Sequence, residues 1–467
     1  VTPDRAAKLC DLSEEDIVAV ARRFATASSA SIKMDLGIYH NLHMVENCYL
    51  VPLLHILTGN MGTAHGAHFP VSMFSGAGVL DTAQEAEKPR TRVAGIPMIR
   101  GIFPPNALPE EILDAGDERI RALFVEACNP LRSYADTQEM SRAFEDLELL
   151  VVIDPAMSEP ARLAHYVLPP PVGYEKWEAS VFPKGHPEIY MHLRRPVLEA
   201  PPETRQECLI FYELAREMGL DYSTNPVFAA LESAIEAGEP APVLSAIKGV
   251  SMLFAMNHSQ ALREEGTISG QGNAGEEVYE KLLDHPEGVL LCKADPDANW
   301  ELVRTPDKKA VLAIPELLER FRELEIPEDT DFRTRSDFPF ILQTGERSDY
   351  NANTIQRDPT WRKKERESYL RMHEEVAEKL GVSDGETVHL ITEHGDAMVQ
   401  ARVTDDIYPG NLSMPHGYGL LWENEETGEL EPHGVNVQTL VSAQHRDRLS
   451  GVPYHKYIPA RVEKAKS

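Results

Sequence analysis

Along the chain, apolar positions fall first at helical spacing and then in short, nearly unbroken runs. Ser13-Glu14-Glu15-Asp16 reads as a capping box, a Ser with an acid three residues on that together satisfy free backbone N–H groups, and it opens a predicted helix over 17–24. Apolar residues over roughly 43–57 predict a second helix, stopped by Gly59 and expected to kink at Pro52, whose ring removes a helical hydrogen bond. The runs at 120–126 and 147–153 differ in kind: they are almost continuously aliphatic, as buried parallel strands require. Helices are expected over 136–144 and 158–164, and a third short strand over 165–168. Strands alternating with helices predict a parallel, doubly wound sheet with right-handed crossovers.

The pattern then changes. A helix over 205–218 leads into acidic, Pro-rich and mostly helical text that runs to about 335, including a helix over 314–323, and reads as linker and covering structure. After Asp337 the chain becomes β-rich, with an apolar strand over 338–342 and a short helix over 374–380 stopped by Gly381. Residues 387–392 and 397–403 alternate around His394-Gly395-Asp396, a hairpin signal, and further strands near Leu412 and Val435 suggest a barrel. Three regions follow: a core over 1–218, a helical linker over 219–335 and a β domain over 336–467.

At 467 residues the chain is long enough for two to four domains. Its 75 acidic against 46 basic residues give a net charge of −29, which opposes any broad grip on nucleic acid or an anionic membrane. An anionic ligand must therefore be held by local donors. No window approaches the roughly 18 unbroken apolar residues of a membrane span. The opening Val1-Thr2-Pro3-Asp4 has no signal-peptide character and no initiator Met, so either Met was removed or the sequence starts inside a longer chain. Cys10, Cys48, Cys128, Cys208 and Cys292 form no C-x-x-C pair, which predicts reduced thiols, a cytoplasmic setting and no iron–sulfur cluster carried by these residues.

In a doubly wound sheet ligands bind beyond the carboxyl ends of the strands. Asn129 follows the first predicted strand and Asp154 the second; either can hydrogen-bond a ligand, and either can instead serve as a turn or N-cap residue. Lys176, after Pro169-Pro170-Pro171, can pair with a phosphate or simply face solvent. His40 lies just past Gly37, and Gly59-Asn60-Met61-Gly62 with Gly66 forms a flexible loop. The densest polar signal is TGERSDYNANTIQR over 344–357, whose donors suit a ligand rich in phosphate and carbonyl groups, or make an ordinary polar loop.

These pieces, in this order, resemble the dimethyl-sulfoxide-reductase family of molybdenum and tungsten enzymes. LHILTGNMG, FVEACNP, LLVVIDP and AHYVLPPPVGYEK resemble its Rossmann-like core; the TGERSDYNANT loop, LGVSDGETVHLIT, IYPGNLSMPHGYG, GVNVQTL and SGVPYHKYIPARVE resemble its molybdopterin-dinucleotide-binding domain. The resemblance implies an α/β fold: a Rossmann-like parallel-sheet core plus a C-terminal six-stranded β-barrel-like domain. It implies an oxidoreductase whose molybdenum or tungsten is held by two pyranopterin guanine dinucleotides. Asn129, Asp154 and Lys176 would meet one dinucleotide, and Leu36 and His40 would lie near a pterin. Gly345, Arg347, Asn353 and Thr354 would contact pterin and phosphates, with Asn436 and Lys456 as further contacts.

Two departures qualify the expectation. The family's N-terminal part, with its Cys-rich 4Fe-4S segment and metal-ligating residue, has no counterpart in the sequence, so the chain alone is expected to be an incomplete enzyme needing that segment or an electron-transfer partner. The family's G-T-x-x-N-x-E-G-R text is replaced by WEASVFPKGHPEIYMHLRRP, resembling a divergent branch that includes a non-redox hydratase. The small-molecule substrate is left open, with a hydratase or an inactive cofactor-binding fragment as alternatives.

Overall fold

A computed structural model describes residues 2–465 apart from 64, 69–88, 100, 181–187, 222–223, 294–299, 302, 304, 325–335, 347–356, 362–367 and 425. The capping box is present: the Ser13 hydroxyl accepts from the Asp16 N–H at 3.0 Å and starts the helix Glu14–Thr26. The helix Met44–Leu57 continues as one element through Pro52.

Three parallel strands, Ala122–Glu126, Leu149–Ile153 and Tyr166–Leu168, form a sheet in that order. Side chains alternate across it, and Val125, Leu150 and Val152 pack with Ile112, Met140 and Phe144 into one core. The helices Thr137–Glu145 and Glu159–Leu163 supply the crossovers.

The β-rich end closes into a six-stranded barrel. Thr387–Thr392 pairs antiparallel with Asp396–Thr404 and with Ile458–Lys464, and Phe340–Glu346 pairs with Ile458–Lys464 and, in parallel, with Asn411–Pro415; Tyr369–His373 closes the ring. Val388 and Leu390 alternate inward to meet Leu342, Leu370, Leu412 and Val462 in a second core, and closure leaves no free strand edge. The helix Glu374–Leu380 ends at Gly381 in the left-handed conformation, as its sequence predicted. The strand expected near Val435 is Leu430–His433; it pairs with Leu420–Glu423 in a ribbon separate from the barrel.

The stretch read as covering structure is more organised than expected. The helices Val243–Glu264 and Ala274–Asp284 pack with a strand, Val289–Lys293, that pairs antiparallel with Glu188–Met191 around a third core including Met191, Phe254, Leu262 and Leu291. That strand escaped sequence reading because a five-residue apolar run after a helix carries no period of its own.

Core and barrel are locked together by buried polar contacts. Arg446 forms a 2.6 Å ion pair with Glu110 and donates to the Asn106 carbonyl at 2.7 Å. Arg320 bridges Glu46 at 2.6 Å and Asp447 at 2.8 Å, joining the helix Met44–Leu57 to the C-terminal loop. Gly451, at φ 68°, meets the core so closely that a Cβ would lie 2.4 Å from Pro104, so only glycine fits there.

Candidate functional site

Where the barrel faces the sheet there is a cavity of about 800 Å³, within the size range of organic-ligand sites. One wall is the turn Asp35–Asn41, capped where the Asp35 carboxylate accepts from Leu36 N–H at 2.8 Å. The opposite wall is the end of the barrel strand Phe340–Glu346 and the segment 450–456. The two walls are stitched by the Lys456 N–H donating to the His40 carbonyl at 2.9 Å.

Four basic side chains face this space. His40 shares a hydrogen bond between Nδ1 and the Pro453 carbonyl at 3.1 Å, and its ring centroid lies 5.4 Å from that of His455. Gln438 Nε2 lies 2.8 Å from His416 Nε2 and donates to it. Lys456 Nζ donates to the carbonyls of Thr344 and, at 3.1 Å, of Gly345. Burial pushes His416 down to about 4, with Lys456 and His40 adding to the effect, and pushes His455 well below the ordinary imidazole value. His40 and Lys456 are lowered for the same first reason, loss of water around the charged form. The rim carboxylates are already engaged: Glu346 with Arg371 at 2.6 Å and Ser413 at 3.0 Å, Asp35 with the Leu36 N–H.

Two polar atoms on the cavity wall, His455 Nδ1 and Gln438 Oε1, are buried without a partner among the described residues. An unpaired buried polar group costs roughly 1–3 kcal/mol, so such atoms mark places where a ligand completes the bonding. Gly345 also faces the cavity, at φ 78°, with Lys456 Nζ 3.4 Å from where a Cβ would sit. Backbone, amide, imidazole and ammonium groups converging on one space suit a ligand bearing amide and phosphate groups, as a pyranopterin nucleotide does. Among the described residues no group of three or more His, Cys, Asp or Glu is arranged to hold a metal ion.

A second polar group sits at the carboxyl ends of the first two strands. The Asn129 amide donates to Glu159 at 2.5 Å, while its Oδ1 is buried without a partner. Glu159 takes a two-pronged ion pair from Arg357 at 2.7 and 3.0 Å and the Leu421 N–H at 2.7 Å. Burial alone would raise Glu159; Arg357, the Leu421 N–H and Arg132 outweigh it and hold the carboxyl at about 2. Arg132 reaches across to donate to the Gly419 carbonyl at 2.6 Å.

The residues singled out from sequence thus divide. Leu36, His40, Gly345 and Lys456 line the cavity together. Asn129 lies in the carboxylate–arginine group. Asp154 accepts from Ala156 N–H at 2.8 Å and Ser158 hydroxyl at 2.9 Å, both within its own turn. Lys176 pairs with Glu207 beside a smaller cavity of about 470 Å³. Asn436 caps the turn Val437–Leu440 and donates to Thr137 at 2.8 Å, tying barrel to core. Arg347, Asn353 and Thr354 lie outside the described residues. Sequence reading missed His416, Gln438 and His455; they sit inside IYPGNLSMPHGYG, GVNVQTL and SGVPYHKYIPARVE, so the motifs were seen but not their inward side chains.

Among the described residues no helix is long and apolar enough to cross a membrane, and all five cysteines are free thiols. Comparison with known proteins places the two halves separately. Residues 20–217 match the family model for molybdopterin oxidoreductase, and residues 340–459 the model for the molydopterin dinucleotide binding domain. The chain is 24% identical over 432 residues to the F420-dependent formate dehydrogenase subunit alpha of Methanocaldococcus jannaschii, covering 89% of this chain and 57% of that protein. It is 26% identical over 361 residues to the acetylene hydratase of Syntrophotalea acetylenica, covering 73% of this chain and 43% of that one. Acetylene hydratase from Pelobacter acetylenicus shares the fold, with a TM-score of 0.64 at 18% identity over 99% of this chain and 64% of that structure. The chain spans about three-fifths of the length of the formate dehydrogenase relatives, 57% to 62%.

Proposed function

Because the chain belongs to the dimethyl-sulfoxide-reductase family of molybdopterin oxidoreductases, we propose that its 800 Å³ cavity holds the pterin part of a molybdenum- or tungsten-bound pyranopterin guanine dinucleotide in a two-electron oxidoreductase. The observation that carries this is the pair of unpartnered buried atoms, His455 Nδ1 and Gln438 Oε1, on the wall of a cavity bounded by both family-matched regions. When bound, the metal–pterin group supplies the electron transfer itself, and the protein supplies binding, orientation and electrostatics.

In this reading Lys456 and the three imidazoles hold the ligand's anionic groups, Gly345 lets the backbone approach it, and Gln438 accepts from a pterin N–H. Leu36 shields one edge from water. Asn129, through its free Oδ1, is the contact proposed for the dinucleotide at the sheet end, with Asp154 and Lys176 as further proposed contacts there. Asn436 contributes by holding barrel to core, and Arg347, Asn353 and Thr354, which follow Glu346 in the chain, are proposed contacts from the barrel side. The three-part division at 218 and 335, a 4Fe-4S cluster and electron-transfer partner beyond these residues, and a cytoplasmic setting belong to the same proposal; the free cysteines support the last.

The test is to purify the protein from cells supplied with molybdate or tungstate. Metal is measured by elemental analysis, pterin by fluorescence after oxidation, and guanine nucleotide after acid hydrolysis. Metal with two pterins and two nucleotides supports the reading; protein containing none overturns it. Dye-linked oxidation with formate as the first substrate tried, set against water addition to an alkyne, then separates oxidoreductase from hydratase. Full cofactor content without either activity indicates a binding fragment.

A further inference from the structure

Among the described residues the basic groups in the cavity form no ion pair, Glu346 being engaged with Arg371 and only partly offsetting Lys456, in a protein whose overall charge is −29. Lys456 spends its hydrogen bonds on two carbonyls, and the rim carboxylates Glu346 and Asp35 are engaged elsewhere. His40 and His455 stand 5.4 Å apart, and His416 and Lys456 complete the set. With the cavity empty, protonating any one imidazole places a buried charge beside other cations. Once an anion enters, the same protonation creates an ion pair. Among the described residues these imidazoles do not fall in a group of three or more His, Cys, Asp or Glu arranged to hold a metal ion.

We infer that His40, His416 and His455 form a proton-accepting cluster that takes up protons when an anionic ligand group enters the cavity, so that ligand binding and protonation are linked. This deepens the proposed function and rests on it only for the identity of the anion. His455 is the central member: its Nδ1 is buried without a partner, and its neighbours His40, His416, His445 and Lys456 all oppose a second positive charge. Other titratable groups facing the cluster are Tyr134, which lines the cavity and meets Cys128 at 3.5 Å, and Glu346, which partly offsets Lys456. Tyr134 is raised by burial, so it stays neutral across the range in which imidazoles titrate. The protons come from solvent and pass to imidazole nitrogens; no other bond changes.

The probe is inorganic pyrophosphate, added to the purified protein near pH 7 and followed by calorimetry in Pipes and in Tris, whose ionisation enthalpies differ. The expected result is uptake of about one proton per pyrophosphate, with affinity falling roughly tenfold for each pH unit above neutrality. The imidazole proton resonances of the wild type, titrated with and without pyrophosphate, should show at least one histidine moving to a higher pKa. His455→Gln and His416→Gln, each checked for an unchanged melting temperature, should reduce the uptake by half or more. Proton-independent binding, no binding to folded wild type, or uptake unchanged in both folded variants would overturn the inference. The wild-type resonances decide the matter if the variants do not fold. Linked proton uptake in a protein that carries no pterin from any host would leave this inference standing while removing the proposed function.

Discussion

The two polar groups facing the space between sheet and barrel are built on opposite principles. At the strand ends, the Glu159 carboxylate is matched by Arg357, Asn129 and the Leu421 N–H, so its charge is neutralised by the protein itself, while Asn129 Oδ1 stays without a partner among the described residues. In the cavity, among the described residues, His40, His416, His455 and Lys456 form no ion pair, and two polar atoms have no hydrogen-bond partner. The first arrangement ties the sheet to the barrel end of the chain through the protein's own ion pair. The second carries a cost that a ligand's hydrogen bonds and negative charge would relieve.

The contrast is broken most severely at the satisfied group. Arg357→Ala leaves the Glu159 carboxylate, 4% exposed, without its ion-pair partner and with only the more distant Arg132 to offset it, and should cost about 3–5 kcal/mol in urea unfolding. Glu159→Gln in that background should recover much of the loss. If Arg357→Ala unfolds like wild type, the strand-end group is not the lock described.

The cavity gives a pH signature of the opposite kind. His416 titrates near 6.5 when unfolded and near 4 when folded, so below 6.5 the unfolded chain binds the extra proton. Stability of the ligand-free protein should therefore be full above 6.5 and fall as pH drops toward 4, by about 3 kcal/mol from this residue. His416→Gln should flatten that part of the curve of melting temperature against pH, and an unchanged slope would assign it to other groups. Bound ligand should flatten it as well.

Gly345→Ala puts a side chain at φ 78° beside Lys456 and should cost about 1–2 kcal/mol while lowering retained pterin. Loss of stability with pterin content unchanged would make Gly345 a turn residue and no more. The smallest effect is expected at Asp154, whose oxygens serve Ala156 and Ser158. Asp154→Ala should cost about 1–2 kcal/mol through the lost turn bonds. A fall in cofactor content with little change in stability would instead make Asp154 a ligand contact.

How legible the site was depended on which link of the chain carried it. Gly345 and Lys456 could be named in advance because each lies in a motif whose order along the sequence is distinctive, and His40 because it lies just past the bend at Gly37. For Asp154 the turn role was one of the two readings the sequence offered, and the structure shows it closing its own turn; for Lys176 the sequence did not show that it meets Glu207. A side chain's partner depends on residues 31 or more positions away, as with Lys176 and Glu207, and no local pattern encodes that.

The sequence by itself determined the alternation of strand and helix around 120–168, the hairpin and helix stop of the barrel, and the absence of any broad basic surface. These follow from side-chain period, glycine and proline geometry, and net charge, all of which are local or additive quantities. The tertiary structure alone decided that 243–293 builds a third core together with 188–193, that Asn129 meets Glu159, and that His40, His416 and His455 face one cavity from three distant stretches of chain. Burial set the protonation of those histidines, and burial exists only once the barrel has closed against the sheet.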